Sequence, residues 1–102
     1  MTMLHTVNKS PFEKDSLERC IKNAKAGSSV LLIEDGIYGA LKGSSLSDTV
    51  QSAMSSSISF YALSGDVAAR GVDGKIMDNV QLVDYAGFVD LVTKHDSTAA
   101  WL

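Results

Sequence analysis

The stretch "SSVLLIED", residues 28–35, constrains the fold of this chain more than any other segment. Its apolar residues are nearly continuous instead of alternating, which is typical of a strand covered on both faces in a parallel sheet. Parallel neighbours require crossover connections, and helices usually provide them. The segment therefore predicts an α/β fold assembled from βαβ units.

Other strands and helices are predicted to alternate with this one along the chain. Strand patterns occupy residues 3–8, 58–64 and 80–84, and helical patterns occupy residues 15–26, 36–43, 47–54, 66–71 and 85–96. A turn is expected at 10–13 and a brief strand at 75–77, and "STAAWL" is left as an apolar tail. We expect a small three-layer sandwich with a mostly parallel sheet of about four to five strands, in a single domain spanning residues 1–102.

Composition excludes several classes of function. The net charge is −3 and no cluster of lysine and arginine is long enough to neutralise many phosphates, so direct binding to nucleic acid is not expected. The longest apolar run, "VLLI", is too short to span a bilayer, and the first residues lack the pattern of a secretory signal. A single cysteine permits no internal disulfide, which indicates a cytoplasmic protein with one reduced thiol.

Acidic residues follow three of the predicted strands. Asp35, Asp66 and Asp84 each precede a predicted helix at the sheet edge where functional groups of α/β proteins gather. Together they could bind a metal or form an acid/base pair, but aspartate is also a preferred N-cap. We interpret all three as caps. The glycines of "GIYGALKG" do not match a nucleotide-binding loop.

The histidines and the cysteine are the candidate catalytic side chains. His5 lies in a predicted strand and His95 on the apolar face of the last predicted helix, so each is interpreted as a core or interface histidine. A pairing of either with a serine or with the cysteine stays open, because such partners meet in space and not in sequence order.

Cys20 lies in "DSLERCIKNAKAG", on the inward stripe that Leu17, Ile21 and Ala24 form at helical spacing. A reactive thiol needs a cation, a metal or a helix N-terminus to lower its pKa. None of its helical neighbours is basic, and it lies beyond the first turn. The helix therefore predicts a residue of the core or its boundary, and any activation must come from another segment or subunit.

The segments "MLHTVNKSPF", "LLIEDGIYGAL", "FYALSGDVAARG" and "VDYAGFVDLVTKHDSTAAWL" together resemble the DsrH/TusB family over nearly the whole chain. The resemblance implies a subunit of a heterohexamer with DsrE-like and DsrF-like paralogues, which relays persulfide sulfur toward a DsrC-like (TusE-like) acceptor. It implies neither a metal nor an organic cofactor. The family cysteine corresponds to Cys20, and its presence favours the DsrH side, because the TusB branch generally lacks it.

We therefore expect a subunit of a sulfur-relay complex in dissimilatory sulfur oxidation. Its role would be mainly docking, with Cys20 as a candidate persulfide carrier and with Phe88, Trp101 and Leu102 at a subunit interface. Two alternatives remain: a TusB-like subunit of the relay for 2-thiolation of the tRNA wobble uridine, and a free-standing catalytic sulfurtransferase.

Overall fold

The computed structural model describes residues 2–102, and strands and helices alternate along most of this part of the chain. The strands are β1 (Met3–Val7), β2 (Ser29–Leu32), β3 (Ser59–Leu63), β4 (Gln81–Val83) and β5 (Ser97–Trp101). The helices are α1 (Ser16–Asn23), α2 (Ser47–Ser55), α3 (Ser64–Ala69) and α4 (Tyr85–Lys94). Two 3-10 helices, Glu34–Ala40 and Asp73–Lys75, complete the regular elements of the described residues.

The five strands form one sheet in the order β4-β3-β2-β1-β5, and every neighbouring pair is parallel. All residues of β2 are buried, as the continuous apolar run predicts for a central strand. The predicted α/β class with a parallel sheet is confirmed.

Helices cover the two faces of the sheet unequally. Helices α1, α2 and α3 and the first 3-10 helix pack on one face, where the larger apolar cluster includes Val30, Leu32 and Phe60. On the other face, α4 inserts Leu91 against Leu4 and Leu31 in a much smaller cluster. The result is the predicted three-layer arrangement, with a single helix as one of its outer layers.

The predicted boundaries differ from the structure at several places. The predicted helix 36–43 is the 3-10 helix Glu34–Ala40, and the predicted helix 66–71 is α3, Ser64–Ala69. The segment 97–102 is not a free tail, because β5 pairs along the full length of β1, with Met3 opposite Ser97 and Val7 opposite Trp101. Helix α1 ends at Asn23, and Gly27 adopts its left-handed conformation (φ 89°) in the following turn. The expected brief strand at 75–77 is an isolated antiparallel bridge between Leu41 and Ile76. Among residues 2–102, no helix is long and apolar enough to span a membrane.

Candidate functional site

The thiol of Cys20 lies inside the larger apolar cluster. Its side chain is 0% exposed, and the same cluster contains Leu17 of α1, Val50 of α2 and Ile37 of the first 3-10 helix. The helical stripe in the sequence predicts a position at or beside the buried face, and the structure places Cys20 fully within the core. As a small side chain with a weak donor, cysteine is well suited to such a position.

Burial also determines the acid–base state of this thiol. Loss of hydration disfavours the charged form and raises the pKa of Cys20 from its ordinary value of 9.0 to about 12. Thiol exchange proceeds through the thiolate and requires access for the second sulfur. In this conformation Cys20 provides neither, so a carrier role would require a structural change that exposes it.

An ionic cluster occupies the carboxyl edge of β2 and β3. Arg70 donates through Nε to Asp35 Oδ1 at 3.0 Å, and its Nη2 lies 2.9 Å from the same oxygen. Its Nη1 lies 3.8 Å from Asp66 Oδ1, and the main-chain N–H of Glu34 donates to Asp66 Oδ2 at 2.7 Å. Glu34 has a left-handed backbone (φ 49°), which this hydrogen bond helps to hold.

The capping interpretation is confirmed for one of the three aspartates. Asp84 accepts a hydrogen bond from the main-chain N–H of Gly87 at 2.8 Å and is the N-cap of α4. For Asp35 and Asp66 it is wrong, because both lie within the first turns of their helices and use their carboxylates to bind Arg70. Among residues 2–102, no group of three or more histidine, cysteine or acidic side chains could hold a metal ion.

The half-buried His95 and the buried Ser29 form a pair between α4 and β2. His95 Nδ1 donates to the carbonyl oxygen of Leu91 at 2.7 Å, because a carbonyl can only accept. In the neutral ring Nε2 then accepts from the hydroxyl of Ser29 at 2.9 Å. The order of groups is that of an activated serine and its base. Ser29 is nevertheless buried, so a substrate has no access to it, and the pair ties α4 to the sheet.

His5 is bound to the last strand by the only tryptophan. Trp101 Nε1–H donates to His5 Nδ1 at 3.0 Å, which ties β5 to β1 in addition to the strand pairing. His5 is 4% exposed, and burial lowers its pKa below the ordinary value of 6.5. His5 is therefore a core residue, one of the two interpretations made from the sequence, whereas His95 is half-buried, and neither hydrogen-bonds to Cys20.

The free energy of unfolding is expected to fall as the pH is lowered from about 6.5. Unfolded chains take up a proton on His5 near its ordinary pKa, whereas the folded state takes it up only at lower pH. Stability is therefore lost over the interval between the two pKa values and levels off below the folded one. Urea denaturation across a pH series that brackets this interval measures the effect. If the variant His5→Gln shows the same dependence, another group is responsible.

Helix α4 presents an apolar surface to solvent. Tyr85, Val89 and Val92 are 73%, 48% and 41% exposed, and Phe88 packs edge-on against Tyr85 with ring centroids 6.0 Å apart. We call these four residues the α4 surface. On the same face of the sheet, Thr98 and Ala100 of β5 are exposed. Because parallel sheets are normally covered on both faces, this side of the molecule is suited to contact with another protein.

The three residues predicted for an interface lie in different places. Phe88 belongs to the α4 surface, and Trp101 packs half-buried against the larger cluster on the opposite face of the sheet. Leu102 is 73% exposed, and its carbonyl oxygen accepts a hydrogen bond from Ser16 Oγ at 3.1 Å. Only Phe88 and Leu102 are therefore near exposed apolar surface of this chain.

Neither the ion pairs of Arg70 nor the Ser29–His95 pair is predicted from the sequence. Arg70 follows α3 as its C-cap residue, and Asp66 four residues earlier is a local signal for one ion pair, but nothing near Arg70 in sequence indicates Asp35 of the first 3-10 helix. The spacing of His95 from Leu91 does indicate that it lies on the inner face of α4, but its serine partner is on a distant strand. Contacts of this kind depend on the order of strands in the sheet.

The fold and its surfaces define a small parallel α/β domain with a buried thiol and an apolar outer helix. Comparison with known proteins makes the assignment specific: the family model described as "DsrH like protein" matches residues 9–98. The chain belongs to this DsrH/TusB family.

Similar curated proteins cover the chain from end to end. Proteins named "Protein TusB" from Yersinia pestis (strain Pestoides F) and from Yersinia pseudotuberculosis serotype O:1b (strain IP 31758) are each 38% identical over 99 residues. The alignment covers 97% of this chain and 100% of each relative. Among solved structures, the ychN protein from E. coli superposes with a TM-score of 0.86 over 99% of both chains, at 12% identity. At that identity the likeness concerns the fold alone.

Proposed function

We propose that this chain is a docking subunit of a sulfur-relay complex that serves 2-thiolation of the wobble uridine in tRNA. The observation that carries the proposal is the similarity, over the whole chain, to proteins named TusB. It favours the tRNA branch of the family over dissimilatory sulfur oxidation, for which the presence of Cys20 is the argument from sequence. The expected partners are small α/β paralogues of the TusC and TusD type and a TusE-like sulfur acceptor.

A docking role agrees with the state of the thiol. Cys20 is fully buried with its pKa raised to about 12, so the isolated chain has no thiolate available to accept sulfur. One cysteine also permits no internal disulfide through which a persulfide could be resolved. A paralogous subunit with an accessible cysteine would hold the sulfur, and this chain would complete the assembly around it.

The α4 surface is the proposed contact with a paralogue. Tyr85 and Phe88 provide aromatic side chains of the kind that dominate the binding energy of interfaces, and Val89 and Val92 extend the apolar surface along the helix. Leu102, exposed at the end of β5, is the second proposed contact. Trp101 lies on the opposite face of the sheet and would contribute indirectly, by holding β5 in place through its hydrogen bond to His5.

Replacing Val89 with lysine is expected to prevent assembly, because it places a charge in the centre of the α4 surface. A matched control is Asp90→Lys, which introduces the same side chain at the next, exposed position of the helix. Co-expression with the two paralogues, followed by size-exclusion chromatography, measures the complex. We expect wild type and Asp90→Lys to assemble and Val89→Lys to elute alone with an unchanged circular dichroism spectrum.

The pathway is tested in a strain that lacks this gene, by measuring 2-thiouridine in total tRNA. We expect 2-thiouridine to be lost and then restored by wild type and by Cys20→Ala, but not by Val89→Lys. Normal 2-thiouridine in the deletion strain would overturn the tRNA proposal and favour a role in sulfur oxidation. Failure of Cys20→Ala alone, with sulfur found on Cys20 by mass spectrometry, would assign the chain a carrier role.

A further inference from the structure

A cavity of about 200 Å³ lies at the amino edge of the sheet, opposite the ionic cluster of Arg70. It is bounded by the start of β1, the end of α1 and the start of β5. The lining residues are Thr2, Met3, His5, Asn23, Lys25, Ser28 and Ser97. Neither Cys20 nor the α4 surface contributes to it, and it shares with the proposed function only His5, the hydrogen-bond partner of Trp101.

His5 brings an unused donor to the lining of this cavity. The indole N–H of Trp101 can only donate, so His5 Nδ1 is the acceptor and the proton of the neutral ring is on Nε2. Within residues 2–102, no side chain or carbonyl accepts a hydrogen bond from Nε2. Among the described residues, the one fully buried side-chain polar atom without a partner is Asn8 Oδ1, so Nε2 of the largely buried His5 is reached by solvent, and water or a ligand in the cavity can supply its acceptor.

The remaining polar groups of the lining can also donate. Ser28 is 3% exposed, and within the described residues its hydroxyl, like that of Ser97, has no hydrogen-bond partner. Lys25 is the charged residue of the lining, and within the same residues it forms no ion pair. The lining contains no carboxylate. Asp96, adjacent to Ser97, accepts the main-chain N–H of Thr2 at 2.7 Å.

We propose that this cavity binds a small oxoanion. The Nε2–H of His5 and the hydroxyl of Ser28 donate to its oxygens, and Lys25 supplies the opposite charge. Helix α1 ends at Asn23, and the partial negative charge of its C-terminus opposes the binding of an anion. The positive charge of Lys25 offsets this effect, so Lys25 is the residue that favours an anion over a neutral acceptor. The proposal does not depend on the sulfur-relay function.

Trp101 makes the site directly measurable, because it is the only tryptophan and is bonded to the ring that would bind the anion. We expect sodium sulfate and sodium phosphate to change its fluorescence in a saturable manner, relative to sodium chloride at equal ionic strength. The amide signals of Ser28 and Ser97 in a ¹H–¹⁵N spectrum should shift with the same midpoint. A linear change without saturation would overturn the proposal.

Variants test which residues bind the anion. We expect Lys25→Gln to weaken sulfate binding about tenfold or more and Ser28→Ala to weaken it several-fold. Lys22→Gln removes an equal charge from the exposed face of α1 and should leave binding unchanged. Equal affinity in Lys25→Gln and Lys22→Gln would mean that the effect is general screening, and this result would overturn the proposal.

Discussion

Replacing Gly36 with alanine is expected to lower the free energy of unfolding by about 3 kcal/mol or more. A Cβ atom at this position would lie 2.0 Å from the carbonyl oxygen of Val7 and 2.8 Å from its carbonyl carbon. Neither atom can move freely, because the same oxygen accepts a hydrogen bond from the main-chain N–H of Ile33 at 3.0 Å. The clash therefore involves main chain on both sides, and relief requires β1 or the 3-10 helix Glu34–Ala40 to shift.

Thermal and urea denaturation measure this effect, and for a chain of 102 residues we expect the melting temperature to fall by more than about 10 °C. The matched control is Gly65→Ala. Gly65 lies in α3, and a Cβ there would meet nothing within 4 Å, so alanine should stabilise the protein by about 0.5–1 kcal/mol. If both variants lose stability to a similar extent, the close approach of Gly36 to β1 is not the cause.

The apolar run of β2 predicts the fold because it can be recognised in sequence without knowledge of distant contacts. β2 is buried on both faces, so nearly all of its residues are apolar, and such a run is typical of a parallel sheet. β5 escapes prediction, because "STAAW" has only one β-branched residue and alternates weakly. Its stability as a strand comes from pairing with β1 and from the bond of Trp101 to His5, and neither partner is close in sequence.

The same difference applies to side chains: contacts within one helix can be predicted from the sequence, and contacts between distant elements cannot. The helical stripe of α1 indicates the burial of Cys20, because Leu17 and Cys20 are neighbours on one face of a single element. The role of Asp35 cannot be predicted in this way. Arg70 reaches Asp66 four residues earlier in its own helix, but it reaches Asp35 only because β2 and β3 are adjacent in the sheet, which brings the first 3-10 helix and α3 together. An aspartate at a helix start can cap that helix or bind a cation from elsewhere, and local sequence does not distinguish the two.

The burial of Cys20 also explains why its presence is a poor guide to the branch of the family. A cysteine that fills space in an apolar cluster can be exchanged for another small apolar residue with little effect on function. Under the docking role that we propose, the presence of Cys20 reflects the packing of α1 against the sheet and not a step of sulfur transfer. The curated relatives named TusB, similar over the whole chain, are the stronger indication.

Cys20 in the folded protein is expected to react with iodoacetamide near neutral pH at least about a thousandfold more slowly than an exposed cysteine. A pKa of about 12 in place of 9.0 lowers the thiolate fraction by about that factor, and burial excludes the reagent in addition. Modification then occurs only through opening of the structure. Mass spectrometry of samples quenched over several hours gives the rate.

The exposed thiol for comparison is provided by Cys20→Ala combined with Ser45→Cys, since Ser45 lies in an exposed turn of the same protein. Both proteins should react equally fast in guanidinium chloride, where burial no longer distinguishes them. Rapid modification of native wild type would contradict the closed state of the thiol and remove the main argument for a docking role. The same measurement on the assembled relay complex separates the two roles. A protected Cys20 supports docking, whereas a rate that rises toward that of the exposed comparison thiol would mean that a partner opens the core and exposes a sulfur carrier.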